Sequence, residues 1–463
     1  METFDVVVIG AGPGGYPAAI RAAQLGASVA IIEKDAFGGT CLNFGCIPTK
    51  ALIAAADLFA RIQHAEALGI IVKDAYVDYA AMSAHKNRVV AKLQGAVKTL
   101  LTANNVRQFT GTASFKDRNT IAINDDLTIG AKKVIVATGS TSVMPEYLPK
   151  SPNIVESRAF LDFDHLPKSM IVLGGGYIGC EMACMAALLG VKVTVVELLD
   201  DILQLVDADA RREVRTNMEK NLGIHILTGA ALEDITAERG GVQGRVGNET
   251  IFAELLLSAV GRKPVTEGLH LEAAGLAANR NGFIDTDDYC RTKVATIFAI
   301  GDVTGKVQLA HYATAQAIAA AENAVNAKPR KHETLVPNVI FTAPEIGTVG
   351  LGEDEAARRG RAIKTGKFRF AGLGKALAAG ETIGFVKWVG DAETGQLLGA
   401  TAVGPHATEL IASATTAIRS EQTAQELTRT VLAHPTFSES WMEAALALLG
   451  EGIHALPRKK QAD

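Results

Sequence analysis

Residues 4–15 read FDVVVIGAGPGG, and residues 170–179 read MIVLGGGYIG. Each is a short apolar run, the length of a buried strand, that ends in a glycine-rich turn and leads into a helical pattern, over residues 16–25 in the first copy and up to Leu189 in the second. A second strand follows each helix, residues 28–33 and 192–197, and each ends on an acid, Glu33 or Glu197. Gly10 to Glu33 and Gly174 to Glu197 are both 23 residues apart, close to the roughly 20 expected between a dinucleotide fingerprint and its ribose-binding acid. One G-x-G-x-x-G is often only a tight turn; two copies with matching acids are a repeated dinucleotide-binding unit. Gly10 and Gly174 make the turn, Gly12 and Gly176 let backbone approach a pyrophosphate, and Gly15 and Gly179 let the helix pack on the strand with its N-terminus toward the phosphates.

Each unit has a return strand that runs into glycine, KVIVATGS over residues 133–140 and LLLSAVGR over 255–262. The second unit is therefore inserted in the first. TIFAIGD, residues 296–302, brings the chain back to the first sheet, where Gly301 and Asp302 suit a flavin ribityl or phosphate contact. From about Leu335 the pattern changes to short strands, residues 364–370, 384–389 and 399–403, with two helices and no nucleotide fingerprint. The expected fold is α/β: two Rossmann-like dinucleotide-binding domains, one inserted in the other, plus an α+β C-terminal domain. The expected divisions are 1–148, 149–270, 271–334 and 335–463. Glu33 and Glu197 offer carboxylates to ribose hydroxyls and repel a 2′-phosphate, and LLDDIL, residues 198–203, has no arginine to receive one. The second site should take NAD rather than NADP. Two sites on one chain imply hydride relay between two carriers, most simply FAD and NAD.

Bulk composition fits this reading. The chain has 463 residues, too many for one core; it is 48% hydrophobic and 21% charged, and its 45 glycines are in excess. A net charge of -4 without a basic, aromatic-interleaved stripe gives no support to a nucleic-acid surface, and Arg458-Lys459-Lys460 reads as a solvated end. The first strand begins about three residues after Met1, so no targeting segment and a cytoplasmic location are expected. Charged residues and glycines interrupt every apolar run short of the roughly 18 residues of a membrane helix, so no membrane span is expected either. Five cysteines do not make a secreted disulfide framework.

Residues 38–50, GGTCLNFGCIPTK, contain the cysteines that matter. Cys41 and Cys46 lie roughly 140° apart on an ideal helix and could not bridge there. Gly45 and Pro48 permit the needed distortion. An isolated C-x4-C is more often two buried small hydrophobes, the fate assigned to Cys180, Cys184 and Cys290. GGTCLNFGCIPTKAL resembles the redox-active signature of the class I pyridine nucleotide-disulfide oxidoreductases, and within them the dihydrolipoamide dehydrogenase branch. The resemblance runs over essentially the whole chain, through ATGS, GGGYIGCE, AIGDV, LAH and AHPTFSE.

The resemblance implies an FAD domain, an inserted NAD domain, a central segment and a dimer-interface domain. Cys46 takes the place of the flavin-proximal thiol and Cys41 that of the interchange thiol. Lys50, one turn beyond Cys46, takes the place of a lysine that lies beside the flavin and pairs with Glu181. It further implies FAD contacts from Gly14, Lys34, Gly39, Thr40 and Gly111, from Ala137, Thr138, Gly139 and Ser140, and from Gln308, Leu309, Ala310 and His311. NAD contacts fall to Tyr177, Ile178 and Gly261 besides the glycines and acids already named.

Oxidising a dithiol needs a base, because a thiol is mostly protonated at neutral pH, and imidazole titrates near it. By resemblance His434 is that base and Glu439 its orienting carboxylate, both supplied across an obligate homodimer to the partner's Cys41–Cys46 site. The implied reaction is ping-pong oxidation of dihydrolipoamide, with electrons passing through the cysteine pair and FAD to NAD. The lipoyl group would come on an acyltransferase (E2) or an H-protein of a multienzyme complex. Pro17, Phe44 and the pair Gln316-Ala317, where Glu-Gly is usual, depart from the pattern. Glutathione-type reductases are disfavoured by LLDDIL, and mercuric reductases by the lack of any cysteine after Cys290. A non-catalytic subunit is disfavoured by the complete set of reactive residues.

Overall fold

The computed structural model describes residues 1–454 apart from 125, 239 and 327. The basic tail, Arg458 to Lys460, lies outside the described residues. The β-branched strand Thr3–Ile9 is buried from Val6 onward and pairs in parallel with Val29–Glu33 and with Leu127–Val136. Arg107–Thr110 extends this sheet beyond Val29–Glu33, and Ile297–Ala299 pairs with the last three residues of Leu127–Val136. The chain therefore does re-enter the first sheet after the second unit.

Two boundaries differ from the sequence reading. The first return strand starts at Leu127, because residues 127–130 pair with Thr120–Ile123 in an antiparallel ribbon that Ala113–Asp117 extends. It ends at Val136, and Ser140–Ser142 pairs instead with Arg262–Pro264, which ties the two units together. The second sheet is parallel, with His225–Thr228, Lys192–Glu197, Ser169–Leu173, Leu255–Ser258 and Ile154–Glu156 in that order, and an antiparallel three-stranded sheet follows over residues 233–253.

The C-terminal sheet has five antiparallel strands, two more than the sequence pattern showed: Asn338–Ile340 and Ile346–Gly350 join Leu397–Val403, Phe385–Asp391 and Ile363–Arg369. Helices Ala407–Arg419 and Glu439–Leu449 cover it, and Trp388 and Trp441 meet between sheet and helix with ring centroids 4.6 Å apart. Lys387, almost wholly buried in this sheet, meets Asp207 at 3.0 Å, Asp209 at 2.8 Å and Glu353 at 3.0 Å. A buried cation needs such partners, and here they fix the second unit to the C-terminal sheet. Among the described residues one helical run, Gly39–Gln63, is long and apolar enough by composition to cross a membrane, which the expected interruptions did not anticipate. That run breaks at Gly45 and carries the cysteine pair.

Candidate active site

The two glycine turns are built alike. A Cβ on Gly10 would collide with the Ala137 carbonyl, and one on Gly174 with that of Ala259; a Cβ on Gly15 or Gly179 would strike the carbonyl of Gly10 or Gly174. The acids repeat as well. Glu33 Oε2 accepts the Ala11 amide at 2.7 Å and Oε1 that of Asp35 at 2.9 Å, while Glu197 accepts Gly175 at 2.6 Å and Leu199 at 2.8 Å. Each carboxylate thus pins its glycine turn to the strand end beside it.

A cleft of about 520 Å³ runs from the first turn to the cysteine pair. Gly10, Gly12, Gly14, Glu33, Lys34 and Gly111 line one end, Gly39, Thr40, the stretch from Ala137 to Ser140, Gly301 and Asp302 the middle, and Cys41, Cys46, Lys50, Tyr177, Ile178 and Glu181 the other, with Gln308 to His311 along one side. Gly15 lies beneath this wall, and Gly174, Gly176, Gly179, Glu197 and Gly261 lie outside the cleft, at the second unit. The left-handed φ of +70 at Gly139 favours glycine, and beyond its chain neighbours no protein atom lies within 4 Å of where a Cβ would stand, so the backbone there faces open space. An elongated dinucleotide such as FAD fits a cleft with this open backbone and a helix N-terminus at its turn.

At the reactive end the helix Gly39–Phe44 stops at Gly45, and a second helix, Cys46–Gln63, starts there. The break removes the 140° separation and brings the Cys41 thiol beside Cys46. The neighbouring Cys41 thiol, together with the Lys50 charge, outweighs burial and holds Cys46 down to about 7, while the neighbouring Cys46 and burial push Cys41 well up. Of the pair, Cys46 is the thiol whose ionisation these surroundings favour. Lys50 Nζ lies 2.7 Å from Glu181 Oε2 and 4.5 Å from the centre of the Phe341 ring, and Glu181 Oε1 accepts the Phe341 amide at 2.9 Å. Cys180, Cys184 and Cys290 are buried, and burial pushes their thiols up, the state of inert cysteine.

Several cleft residues were not singled out from sequence. Arg262 donates to Ser140 Oγ and to Ser140 O, both at 2.7 Å, and Ser140 Oγ donates to Asp302. Asp35, Arg158 and Phe341 also line the wall. Nothing local marks them, since their partners are distant in the chain. The departure at Gln316 is accommodated in part: its buried Oε1 accepts the Gly301 amide at 2.8 Å, holding the turn beside Asp302, while its Nε2 is buried with no hydrogen-bond partner among the described residues.

His434 and Glu439 meet each other but not the cleft of their own chain. His434 Nδ1 is 2.8 Å from Glu439 Oε1, and the Thr436 amide donates to Oε2 at 2.9 Å. Burial pushes Glu439 up, and the Thr436 amide and His434 more than offset it, keeping the carboxyl ionised. The histidine is 76% exposed beyond that anchor, so its other nitrogen is free to face outward.

Comparison with known proteins agrees with this arrangement. The pyridine nucleotide-disulphide oxidoreductase signature matches residues 4–317, and the dimerisation-domain signature of the same family matches residues 336–445. The chain belongs to the pyridine nucleotide-disulphide oxidoreductases. Family relatives include a dihydrolipoyl dehydrogenase of Halobacterium salinarum, 44% identical over 98% of both chains, and one of Thermus scotoductus, 41% identical over 99% of this chain and all of that one. Among solved structures, LpdA from Mycobacterium tuberculosis superposes with a TM-score of 0.88 at 28% identity, covering 96% of this chain and 99% of that one. The HOCl-induced flavoprotein disulfide reductase RclA from Escherichia coli gives 0.87 at 29%, covering 95% and 99%. As an oxidoreductase of this family the chain uses FAD and NAD, and its dimerisation domain makes it a homodimer.

Proposed function

We propose that this enzyme is a dihydrolipoyl dehydrogenase, oxidising dihydrolipoamide to lipoamide and reducing NAD⁺ to NADH. The observation that carries the reading is the Cys41–Cys46 pair at the helix break, lining the same cleft as the Lys50–Glu181 ion pair. With Cys41 and Cys46 oxidised to a disulfide, a substrate thiolate attacks Cys41 Sγ and Cys46 departs, because the thiol of lower pKa leaves faster. The second substrate thiol then displaces Cys41, releasing lipoamide and leaving the enzyme dithiol. The cleft residues from Gly10 to Asp302 would hold FAD, which would supply the two-electron redox chemistry linking that dithiol to NAD⁺. Lys50 steadies the Cys46 thiolate, and Glu181 fixes Lys50 in place. His434 of the partner subunit takes the substrate proton, with Glu439 of the partner subunit holding the ring through Nδ1 and stabilising the imidazolium. The boundaries 1–148, 149–270, 271–334 and 335–463 assign these roles to an FAD domain, an NAD domain, the FAD domain's return and an interface domain. A lipoyl-bearing E2 or H-protein in the cytoplasm is the proposed partner. Fast NAD⁺-linked oxidation of dihydrolipoamide, with no NADPH-linked reduction of glutathione disulfide, is the expected assay result; the reverse pattern overturns the substrate.

Two effects follow. Glu197→Ala removes both the ribose acceptor and the anchor of the second glycine turn, and the KM for NAD⁺ rises by about tenfold or more, since one hydrogen bond to a charged group is worth about 1.5 kcal/mol at the least. An unchanged KM would remove Glu197 from the NAD site. In the reduced enzyme, thiolate absorbance rises as pH passes through about 7 upward, because Cys46 loses its proton there. Lys50 lowers that value, so Lys50→Met moves the titration to higher pH; a shift to lower pH contradicts the role given to Lys50.

A further inference from the structure

Phe44 is atypical for the redox signature, and the structure pairs it with a residue from the other nucleotide-binding unit. The Arg158 guanidinium carbon lies 3.5 Å from the centre of the Phe44 ring, and Arg158 Nη1 is 2.8 Å from Asp35 Oδ2. Arg158 stands in the short helix Ser157–Leu161, directly after Ile154–Glu156, the edge strand of the second sheet. Phe44 ends the helix that begins at Gly39, and Asp35 follows the acid of the first glycine unit. All three side chains line the cleft, and Arg158 and Asp35 are 48% and 44% exposed, which places their ion pair at its mouth.

Both ends of the bridge are held. The Glu156 carboxylate accepts the amides of Arg158 at 2.8 Å and Ala159 at 3.0 Å, fixing the start of the arginine's helix. The Asn43 side-chain amide donates to Phe37 O at 3.1 Å and Gly39 O at 3.0 Å, locking the loop after Asp35 to the helix that carries Phe44. A planar guanidinium suits this place because it can stack on a ring and still donate in its plane to a carboxylate, which an ammonium cannot do together.

We propose that Arg158 is a clasp across the mouth of the flavin cleft, joining the second unit to Phe44 and Asp35 of the first and slowing the escape of FAD. The clasp rests on the flavin reading of the cleft. It is a positioning device and takes no part in the thiol chemistry. An exposed cation–π contact and an exposed ion pair are each a weak interaction, and together they correspond to a change in release rate of about fivefold.

The test follows FAD release from the purified holoenzyme by the rise in flavin fluorescence after dilution. Emission from the chain's two tryptophans, Trp388 and Trp441, both buried in the C-terminal domain, reports separately on the fold. Arg158→Ala, which loses both contacts, should release FAD about fivefold faster, and Phe44→Ala, which loses only the stacking, about two- to threefold faster, both with tryptophan emission unchanged. Their double variant should release it little faster than Arg158→Ala alone, since both remove one contact, and Arg158→Lys should fall between Arg158→Ala and the parent. Release at the parental rate from Arg158→Ala, or independent multiplying effects of the two alanine changes, overturns the clasp. A parent protein that binds no flavin overturns the reading beneath it, and is seen before any variant is made.

Discussion

Cys46→Ser leaves a yellow, dimeric protein that no longer oxidises dihydrolipoamide with NAD⁺, with turnover lower by a factor on the order of 10⁴ or more, as when an enzyme loses its nucleophile. The size of the effect follows from the chemistry of the pair. A serine hydroxyl cannot form the disulfide that receives the substrate's electrons, and it is not a thiolate near neutral pH. Cys41→Ser fails to the same extent at an earlier step, since the substrate thiolate then has no sulfur to attack. Neither change touches the glycine turns or the carboxylates of Glu33 and Asp302, so flavin absorbance should persist in both. Turnover within tenfold of the parent in either variant, measured as NADH formation, would remove that cysteine from the reaction.

The second large effect belongs to His434. His434→Gln keeps a hydrogen-bonding side chain of similar reach but removes the proton acceptor, and turnover falls by about 10² to 10⁴, the usual contribution of a positioned general base. Because His434 stands outside the cleft of its own chain, the variant also has a distinctive partner effect. If the partner's histidine completes each site, mixing Cys46→Ser and His434→Gln subunits restores activity. In every mixed dimer one site holds the intact cysteine pair of one chain and the intact histidine of the other, while the opposite site lacks both. Random exchange makes about half of the dimers mixed, so recovery approaches about one quarter of the parental rate. No recovery after verified subunit exchange would place the histidine's action within its own chain.

Much of this was legible in the sequence because the repeat is local. The glycine turn, the helix after it and the acid at the next strand end lie within some two dozen residues, and each acid does reach back to its own turn. The distortion between the cysteines was legible for the same reason, and the chain breaks its helix at Gly45. The antiparallel ribbon of residues 113–130 and the strands Asn338–Ile340 and Ile346–Gly350 were not, since short strands with mixed faces are defined by their neighbours rather than by a period. Arg262 and Arg158 escaped notice because arginine is common on surfaces and their partners, Ser140 and Asp35, stand more than a hundred residues away. The buried Lys387 is of the same kind: a lysine in an apolar strand is intelligible only once Asp207, Asp209 and Glu353 are seen around it. The His434–Glu439 contact came from the family resemblance, because a histidine with a glutamate five residues later is a weak signal by itself, and spacing says nothing of which chain's cleft the ring serves.

The most direct test of the account is to follow the two cysteines through one turnover. The oxidised enzyme, made anaerobic, is reduced with dihydrolipoamide and quenched with an alkylating reagent before and after addition of NAD⁺, and the labelled peptides are identified by mass spectrometry. The account predicts that Cys41 and Cys46 become labelled on reduction and lose that labelling once NAD⁺ is added, as NADH forms in step. NADH formed while both cysteines stay unlabelled throughout would contradict it.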